Sequence, residues 1–156
     1  MKYLVMGVVD VPYENEGITP KRKTKRGEGS SRGAPTTTVE VATILEEKYS
    51  VMQTFYDARK QDITASLVSS AEGALEDLFA GGHPTDPFAE TGQFVQSEFR
   101  TFLMSAEIES LGIPGVPTKA AQNRRSLRFK AKVGPSERPS FIDTGTYELS
   151  MRSWVE

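Results

Sequence analysis

The sequence has 156 residues, a formal net charge of −2, 37% hydrophobic residues and no cysteine. A chain of this length predicts a single domain, residues 1–156, with enough apolar residues to form a core. The absence of cysteine excludes a disulfide framework and a thiol nucleophile. No apolar run approaches the roughly 20 residues that span a bilayer, so we expect a soluble protein without a membrane partner.

The charges are distributed unevenly, because 12 of the 19 basic residues fall in two short stretches. Residues 19–33 hold six of them against one acid, and residues 119–132 hold the other six. The rest of the chain is acidic, and such a distribution favours packing against copies or partners of opposite charge. The interface candidates in these stretches are Lys21, Arg22, Lys23, Lys25, Arg26, Arg128, Lys130 and Lys132.

Residues 2–11 predict a first β-strand, because they are rich in valine, a strong β-former. Residues 13–37 show no hydrophobic periodicity and consist mostly of Gly, Pro, Ser, Thr and charged residues. We name this segment the basic arm. We expect it to be a flexible loop, because a loop of this length in a compact domain is usually functional or mobile.

Three helices are predicted after the basic arm. The threonines at 36–38 supply an N-cap for the first helix, which should end near Ser50. The second should run from about residue 56 to residue 79, where apolar residues recur at steps of three and four and a Gly-Gly pair follows. The third should run from about residue 87 to residue 111. It carries an apolar stripe that we assign to the core: Phe94, Val95, Phe99, Phe102, Leu103 and Ala106.

Two further strands are predicted near the C-terminus. Residues 123–133 alternate apolar and basic side chains, as a strand with one basic face does. Residues 138–156 first turn at Asp143, Thr144 and Gly145; either of the first two can cap a helical turn, and the glycine relaxes the backbone. The segment should then end as a strand. Tyr147 and Trp154 are its interface candidates, because a chain end usually frays unless it docks.

This order of elements predicts an α+β fold, with three helices packed on a small antiparallel sheet of three to four strands. The edges of so small a sheet need cover. Pairing with a neighbouring copy would supply it.

No pattern of residues indicates catalysis, a cofactor or a metal. His83 is the only histidine and lies in a turn-rich stretch, so we expect an exposed loop residue rather than a metal ligand. The sequence places no base or nucleophile beside Asp143, so capping is its favoured role. The glycines of the basic arm lack the spacing of a phosphate-binding loop. We therefore expect a protein that is not an enzyme and binds no cofactor.

The C-terminal segment also carries a family resemblance. Residues 139–151, PSFIDTGTYELSM, resemble the ending P-x-IDTG-x-L-x-x-S-I that is common among tail-completion and virion-morphogenesis proteins of tailed bacteriophages. Residues 36–55, TTTVEVATILEEKYSVMQTF, resemble the short helix T-V-A-x-V-A-x-x-N-E of the same group. The outline of the resemblance covers about residues 36–156.

The resemblance implies a structural virion protein that forms a ring, expected to be a hexamer, at the neck or the head-proximal end of the tail. Such a protein acts as a tail terminator or head–tail connector, is assembled in the host cytoplasm and resides in the virion. Its implied partners are copies of itself, tail tube or sheath proteins, and head connector or neck proteins.

A second hypothesis is a small nucleic-acid-associated protein that uses residues 19–33 and 119–132. Runs of Lys and Arg attract phosphate non-specifically through counter-ion release. The basic run 19–33 has no interleaved aromatic residues, so stacking on bases is not indicated. Three roles therefore stay open for it: a subunit contact, a solvated loop or a DNA contact.

Overall fold

A computed structural model describes residues 3–13, 37–84, 86–123, 138–142 and 145–156. The described chain combines helices with a short antiparallel sheet, which confirms the coarse α+β class. In chain order its elements are β1 (Leu4–Val8), α1 (Thr38–Tyr49), α2 (Val51–Phe79), α3 (Pro87–Met104), α4 (Glu107–Ser110), α5 (Lys119–Gln122), α6 (Thr146–Leu149) and β2 (Met151–Val155).

The first and last elements of the chain pair with each other. β1 and β2 are antiparallel, with Leu4 opposite Val155 and Val8 opposite Met151. The strands predicted at the two ends of the chain are therefore confirmed, although both are short. The described sheet has two strands instead of the three to four that were expected. The strand predicted over residues 123–133 lies outside the described residues except for Asn123, which is in the turn after α5.

Threonine side chains fix the start of α1. Thr37 is the N-cap: its hydroxyl accepts from the Glu40 N–H, and the Glu40 carboxylate accepts from the Thr37 N–H, both at 3.3 Å. This reciprocal capping box satisfies two amides that have no partner inside the helix. The fully buried Thr38 hydroxyl donates to the Val9 carbonyl at 2.6 Å and accepts from the Val11 N–H at 2.8 Å. The beginning of α1 is thereby tied to the residues that follow β1.

Both ends of the basic arm belong to the folded structure. Pro12 and Thr37 form an isolated antiparallel bridge, and Tyr13 is buried. The expected bounds of the basic arm, residues 13 and 37, are thus too wide, because Tyr13 is buried and Thr37 is bridged to Pro12. Residues 14–36 lie outside the described residues.

α2 begins at Val51, directly after α1, and the prediction of a start near residue 56 is wrong. Ser50 adopts a left-handed conformation, with φ of 49°, so the chain changes direction within one residue. The Glu46 carboxylate accepts from the N–H groups of Met52 at 2.8 Å and Gln53 at 3.3 Å. The last turn of α1 thus caps the first turn of α2, which lets a helix start without a cap of its own.

The core is an aromatic cluster between α2, α3 and α6. Phe55 meets Phe99 and Phe102 edge-on, with ring centroids 5.2 and 5.6 Å apart, and Phe99 meets Tyr147 at 6.0 Å. Such tilted aromatic pairs add to the burial of their apolar area. The predicted core residues Val95, Phe99, Phe102 and Leu103 are buried, whereas Phe94 and Ala106 are half-buried.

α3 ends at Met104 and not near residue 111. Ala106 has φ of 57°, so the chain turns before α4 begins at Glu107. This turn presents Glu107 to Arg59 of α2, whose guanidinium donates to both Glu107 oxygens at 2.9 and 2.5 Å and to Glu98 at 3.2 Å. The fork of the guanidinium suits this bidentate geometry. One side chain therefore joins α2, α3 and α4.

Gly92 lets α3 approach the sheet closely. A Cβ atom at this buried position would lie 2.5 Å from the Ser153 hydroxyl oxygen and 3.7 Å from the Leu4 side chain. The Ser153 hydroxyl is held in place because it accepts from the Gln96 amide at 2.8 Å. The contact between α3 and β2 thus depends on the absence of a side chain at residue 92.

We predict that Phe99→Ala lowers the free energy of unfolding by about 3–5 kcal/mol, because it empties a fully buried aromatic site. Phe79→Ala is the matched control: Phe79 is 86% exposed, so its loss should change that free energy by about 0.5 kcal/mol or less. Urea denaturation followed by circular dichroism measures both. A cost below about 1 kcal/mol for Phe99→Ala would remove this residue from the core.

We predict opposite effects for two glycine substitutions in helices. Gly92→Ala should destabilise the fold by about 1–3 kcal/mol, because the new methyl group overpacks the contact with Ser153. Gly73→Ala, where nothing lies within 4 Å of the added Cβ, should stabilise it by about 0.5–1 kcal/mol through helix propensity. Thermal melts of the two variants test the pair. Equal effects would contradict the close approach of α3 to β2.

Candidate interaction surface on the terminal strands

The ribbon formed by β1 and β2 has two faces, because side chains alternate along a strand. On the inner face, Leu4, Met6 and Val8 of β1 pack against the core together with the fully buried Met151 of β2. The outer face carries the residues that alternate with these. We name it the outer ribbon face, and its residues are Tyr3, Val5, Gly7, Val9, Arg152 and Trp154.

Trp154 is the largest side chain on the outer ribbon face. It pairs with Val5 across the strands, and its indole lies over Gly7, where a Cβ would be 2.6 Å from the ring. The indole N–H donates to the Glu156 carboxylate at 3.0 Å. These contacts hold the ring in one place while 42% of the residue stays exposed. The ribbon therefore presents a positioned aromatic surface, as expected for an interface anchor.

The apolar surface continues along β1 in both directions. The strand ladder extends beyond the regular pairs, since Tyr3 and Glu156 exchange two backbone hydrogen bonds and the Val9 N–H donates to Ser150. Tyr3 and Val9 therefore also lie on the outer ribbon face, and both are exposed. Within the described part of the chain, the helices contact the ribbon from its inner side. Exposed apolar side chains grouped on one face in this way commonly mark an interaction site.

No further strand covers the edges of the ribbon in the part of the chain that the structure describes. Each of the two strands has a single strand partner within the described residues. Unpaired backbone groups along an edge are a template for another strand. The ribbon thus offers a partner both side-chain contacts on its outer face and backbone hydrogen bonds at its edges.

A groove of about 340 Å³ lies where β2 meets the beginning of α3. The titratable group that lines it is Asp86, and this carboxylate already accepts from the Phe88 N–H at 3.0 Å as the N-cap of α3. Gln93, Gln96 and Ser153 supply the remaining polar surface. The groove therefore provides shape and neutral hydrogen-bonding groups, without the pair of titratable residues that acid–base chemistry uses.

Among the expected interface residues, Tyr147 requires a correction, because it is a buried core residue. The turn of α6 directs its ring towards Phe99, so the side chain has no surface left for a partner. Burial raises the pKa of its phenol above the usual range. Its hydroxyl has no hydrogen-bond partner among the described residues, which adds to the cost of placing it there.

The turn before α6 is described only at Gly145. This residue is the N-cap of α6, and its φ of 76° lies in the left-handed region that glycine adopts without strain. Asp143 and Thr144, the expected capping residues, lie outside the described residues. The expected interface residues of the two basic stretches lie outside them as well: Lys21, Arg22, Lys23, Lys25, Arg26, Arg128, Lys130 and Lys132.

Glu148 is a half-buried carboxyl, and the sequence placed no base or nucleophile beside it and Asp143 that would make the two a catalytic pair. Burial raises its pKa, and the charge of Arg100 opposes this shift in part. One of its oxygens is buried without a hydrogen-bond partner in the described residues. No sequence signal marks this residue, because its burial depends on how α6 packs. His83, by contrast, is exposed as predicted.

Comparisons with protein-family models, with curated proteins and with solved structures found no match to this chain. In the residues that the structure describes, no helix has the length and apolar character needed to cross a membrane. The same residues contain no group of three or more His, Cys, Asp or Glu side chains that could hold a metal ion.

We predict that Glu148→Gln stabilises the protein at neutral pH. The folded state holds the Glu148 proton more tightly than the unfolded chain, because its folded pKa is raised. The contribution of Glu148 to stability is therefore complete below its pKa in the unfolded chain, near 4.3. It is lost as the pH rises through its pKa in the folded protein. The variant should melt above the wild type at pH 7, and the difference should shrink towards pH 4.

Thermal melts between about pH 4 and pH 7 measure this difference. Glu47→Gln, at an exposed position on α1, controls for the change in net charge. A wild type that is more stable than Glu148→Gln at pH 7 would contradict the prediction.

Proposed function

We propose that this protein is a structural virion protein of a tailed bacteriophage, whose copies form a ring at the neck or the head-proximal end of the tail. Two features support the proposal: the resemblance carried by residues 139–151, and the outer ribbon face with Trp154 exposed on it. The second is the observation on which the assembly role rests. The role would be tail completion or head–tail joining, with a hexamer as the expected ring.

The physical reason for assembly lies in the sheet. A two-stranded ribbon is marginal by itself, and both its edges and its outer face favour a further layer or strand. A neighbouring copy would supply this further layer or strand. In a closed ring the same contact is repeated at every subunit, so that no edge is left open. The finer fold that we expect, three helices on a sheet of three to four strands, would then include residues 123–133 or a strand of a neighbour.

This role requires recognition without a reaction. The groove beside Trp154 is lined by neutral polar groups and one carboxylate that already caps a helix. Such a surface suits a peptide segment or the edge of a neighbouring subunit. The partners that follow from the proposal are other copies of this chain, tail tube or sheath proteins, and head connector or neck proteins.

The alternative function, association with nucleic acid, has the charge distribution in its favour. It would use residues 19–33 and 119–132, and it predicts binding that weakens steeply as the salt concentration rises. Titration of the purified protein with duplex DNA at several salt concentrations distinguishes it from self-assembly, when the mass in solution is measured on the same samples.

We predict that Trp154→Ala weakens self-association by about 2 kcal/mol or more per contact, the usual cost of truncating an interface anchor. The control is Tyr56→Ala, on the first half of α2, because Tyr56 is 47% exposed and Trp154 is 42% exposed. Sedimentation velocity gives the mass of each variant, and circular dichroism checks that both stay folded. A substitution is preferable to deletion of residues 150–156, since the deletion also removes the buried Met151.

The virion role has its own test. Particles made without the protein, or with Trp154→Ala, should appear in electron micrographs as separate heads and tails. Joined, infectious particles assembled without the protein would overturn the proposed role. A Trp154→Ala protein that assembles like the wild type would overturn the assignment of the outer ribbon face.

A further inference from the structure

The second half of α2 presents an apolar face that the described chain leaves uncovered. α2 has 29 residues and α3 has 18, so the two helices are about 43 and 27 Å long. α2 is therefore longer than the helix that packs beside it. Its buried residues, Val51 and Phe55, both lie in the first two turns. At the other end, every residue from 75 to 84 is exposed.

This face combines large apolar side chains with carboxylates. Val68, Leu75 and Phe79 follow one another at steps of seven and four, so they lie on one side of the helix. Their exposed fractions are 51%, 53% and 86%. Glu72 lies between them and Glu76 lies next to them on the same side by the same periodicity. We name these five residues the distal face of α2.

Within the described residues, no basic side chain pairs with the carboxylates of the distal face. Residues 61–99 contain seven acids and no Lys or Arg. Glu72 and Glu76 repel each other at the i, i+4 spacing, and neither forms an ion pair with another described residue. The last turn of α2 has no basic residue, although the helix dipole favours a cation there. A positively charged partner would relieve all three conditions.

The chain itself contains a segment whose charge is opposite to that of the distal face. Residues 19–33, TPKRKTKRGEGSSRG, carry six basic residues and one acid. We propose that the distal face of α2 is the docking site for residues 19–33 of a second copy of this chain. This inference rests on the self-association in the proposed function and names the pair of surfaces that make one of the contacts.

The geometry favours a second copy over the same chain as the source of the segment. The basic arm starts and ends at the bridge between Pro12 and Thr37, beyond the Val8 end of β1. The opposite end of β1, at Leu4, lines a groove together with Asp86 at the start of α3. Because α3 begins only a few residues after α2 ends at Phe79, α2 ends on this side of the molecule.

Within one chain, residues 19–33 would therefore have to extend past β1 to reach the distal face. The segment would first run past β1, about 13 Å from Val8 to Leu4, and then further along α2. Half of residues 14–36 spans about 40 Å at most when fully extended, and it would have to run out and back. A neighbour's segment can approach the distal face from another direction, so it does not have to be stretched past β1 first.

Charge reversal on each side tests the contact. The distal-face variant carries Glu72→Lys and Glu76→Lys, and the arm variant carries Lys23→Glu and Lys25→Glu. Either should weaken self-association at least about tenfold, because like charges then face each other. The control for the distal-face variant is Glu47→Lys with Asp57→Lys, at two exposed acids outside the distal face, which makes the same change in net charge as that variant. The four substituted helix positions, 47, 57, 72 and 76, are exposed, so circular dichroism should show intact helices.

Two combinations decide how the contact is made. A single chain carrying both reversals should regain assembly, since the charges match again. An equimolar mixture of the distal-face variant and the arm variant should also assemble, because each can dock the segment of the other. A contact within one chain would be restored only in the first case, so failure of the mixture would overturn the proposal.

The outcomes for the wild type separate this inference from the proposed function. A wild type that stays monomeric at every concentration overturns both. A wild type that assembles while neither reversal weakens it overturns the distal face alone. Assembly that weakens when the salt is raised from about 0.1 to about 1 M, as the Debye length shrinks from roughly 10 to 3 Å, supports a contact between charges.

Discussion

The pairing of β1 with β2 is the contact on which the rest of the structure depends, because it joins the two ends of the described chain. A ribbon of two five-residue strands is marginal in water, so its stability comes from the core beneath it. Met151 enters the aromatic cluster from β2, and Gly92 brings α3 into contact with Ser153. The ribbon therefore has a firmly packed inner side and an outer side that the described residues leave open.

The helices are joined by a small number of polar side chains. The Glu46 carboxylate caps α2 from the end of α1, and the Arg59 guanidinium holds Glu98 and Glu107 together. Both act near the core end of α2, where Phe55 is buried. The far half of this helix has no comparable contacts in the described chain, so its helical structure relies on local propensity and on whatever packs against it.

The two open surfaces lie on different elements and have different chemistry. The outer ribbon face is mainly apolar, with Arg152 as the charged residue among the six that define it, and it carries strand edges. The distal face of α2, by contrast, mixes apolar and acidic side chains. Two unlike surfaces suit head-to-tail contacts between copies, which close into a ring when the rotation permits it. The opposite charges of residues 19–33 and the distal face would set the direction of such contacts, since charge complementarity gives specificity.

Local patterns in the sequence determined the features whose causes lie within a few residues. Thr37 and Glu40 form a capping box three residues apart, the Gly-Gly pair follows the end of α2, and the stripe through Phe99 and Phe102 is a matter of helical period. Valine-rich residues near the start likewise predicted a strand, and the C-terminal spacing predicted another.

Only the tertiary structure decided features that join distant parts of the chain. The partner of β1, the burial of Tyr147 and the bonds of Arg59 all depend on residues far away in sequence. The start of α2 also depends on the tertiary structure, because a carboxylate of the preceding helix supplies its cap. Sequence periodicity reports which side of an element is apolar, but which element covers that side is settled by packing, where shape and buried polar groups must match together.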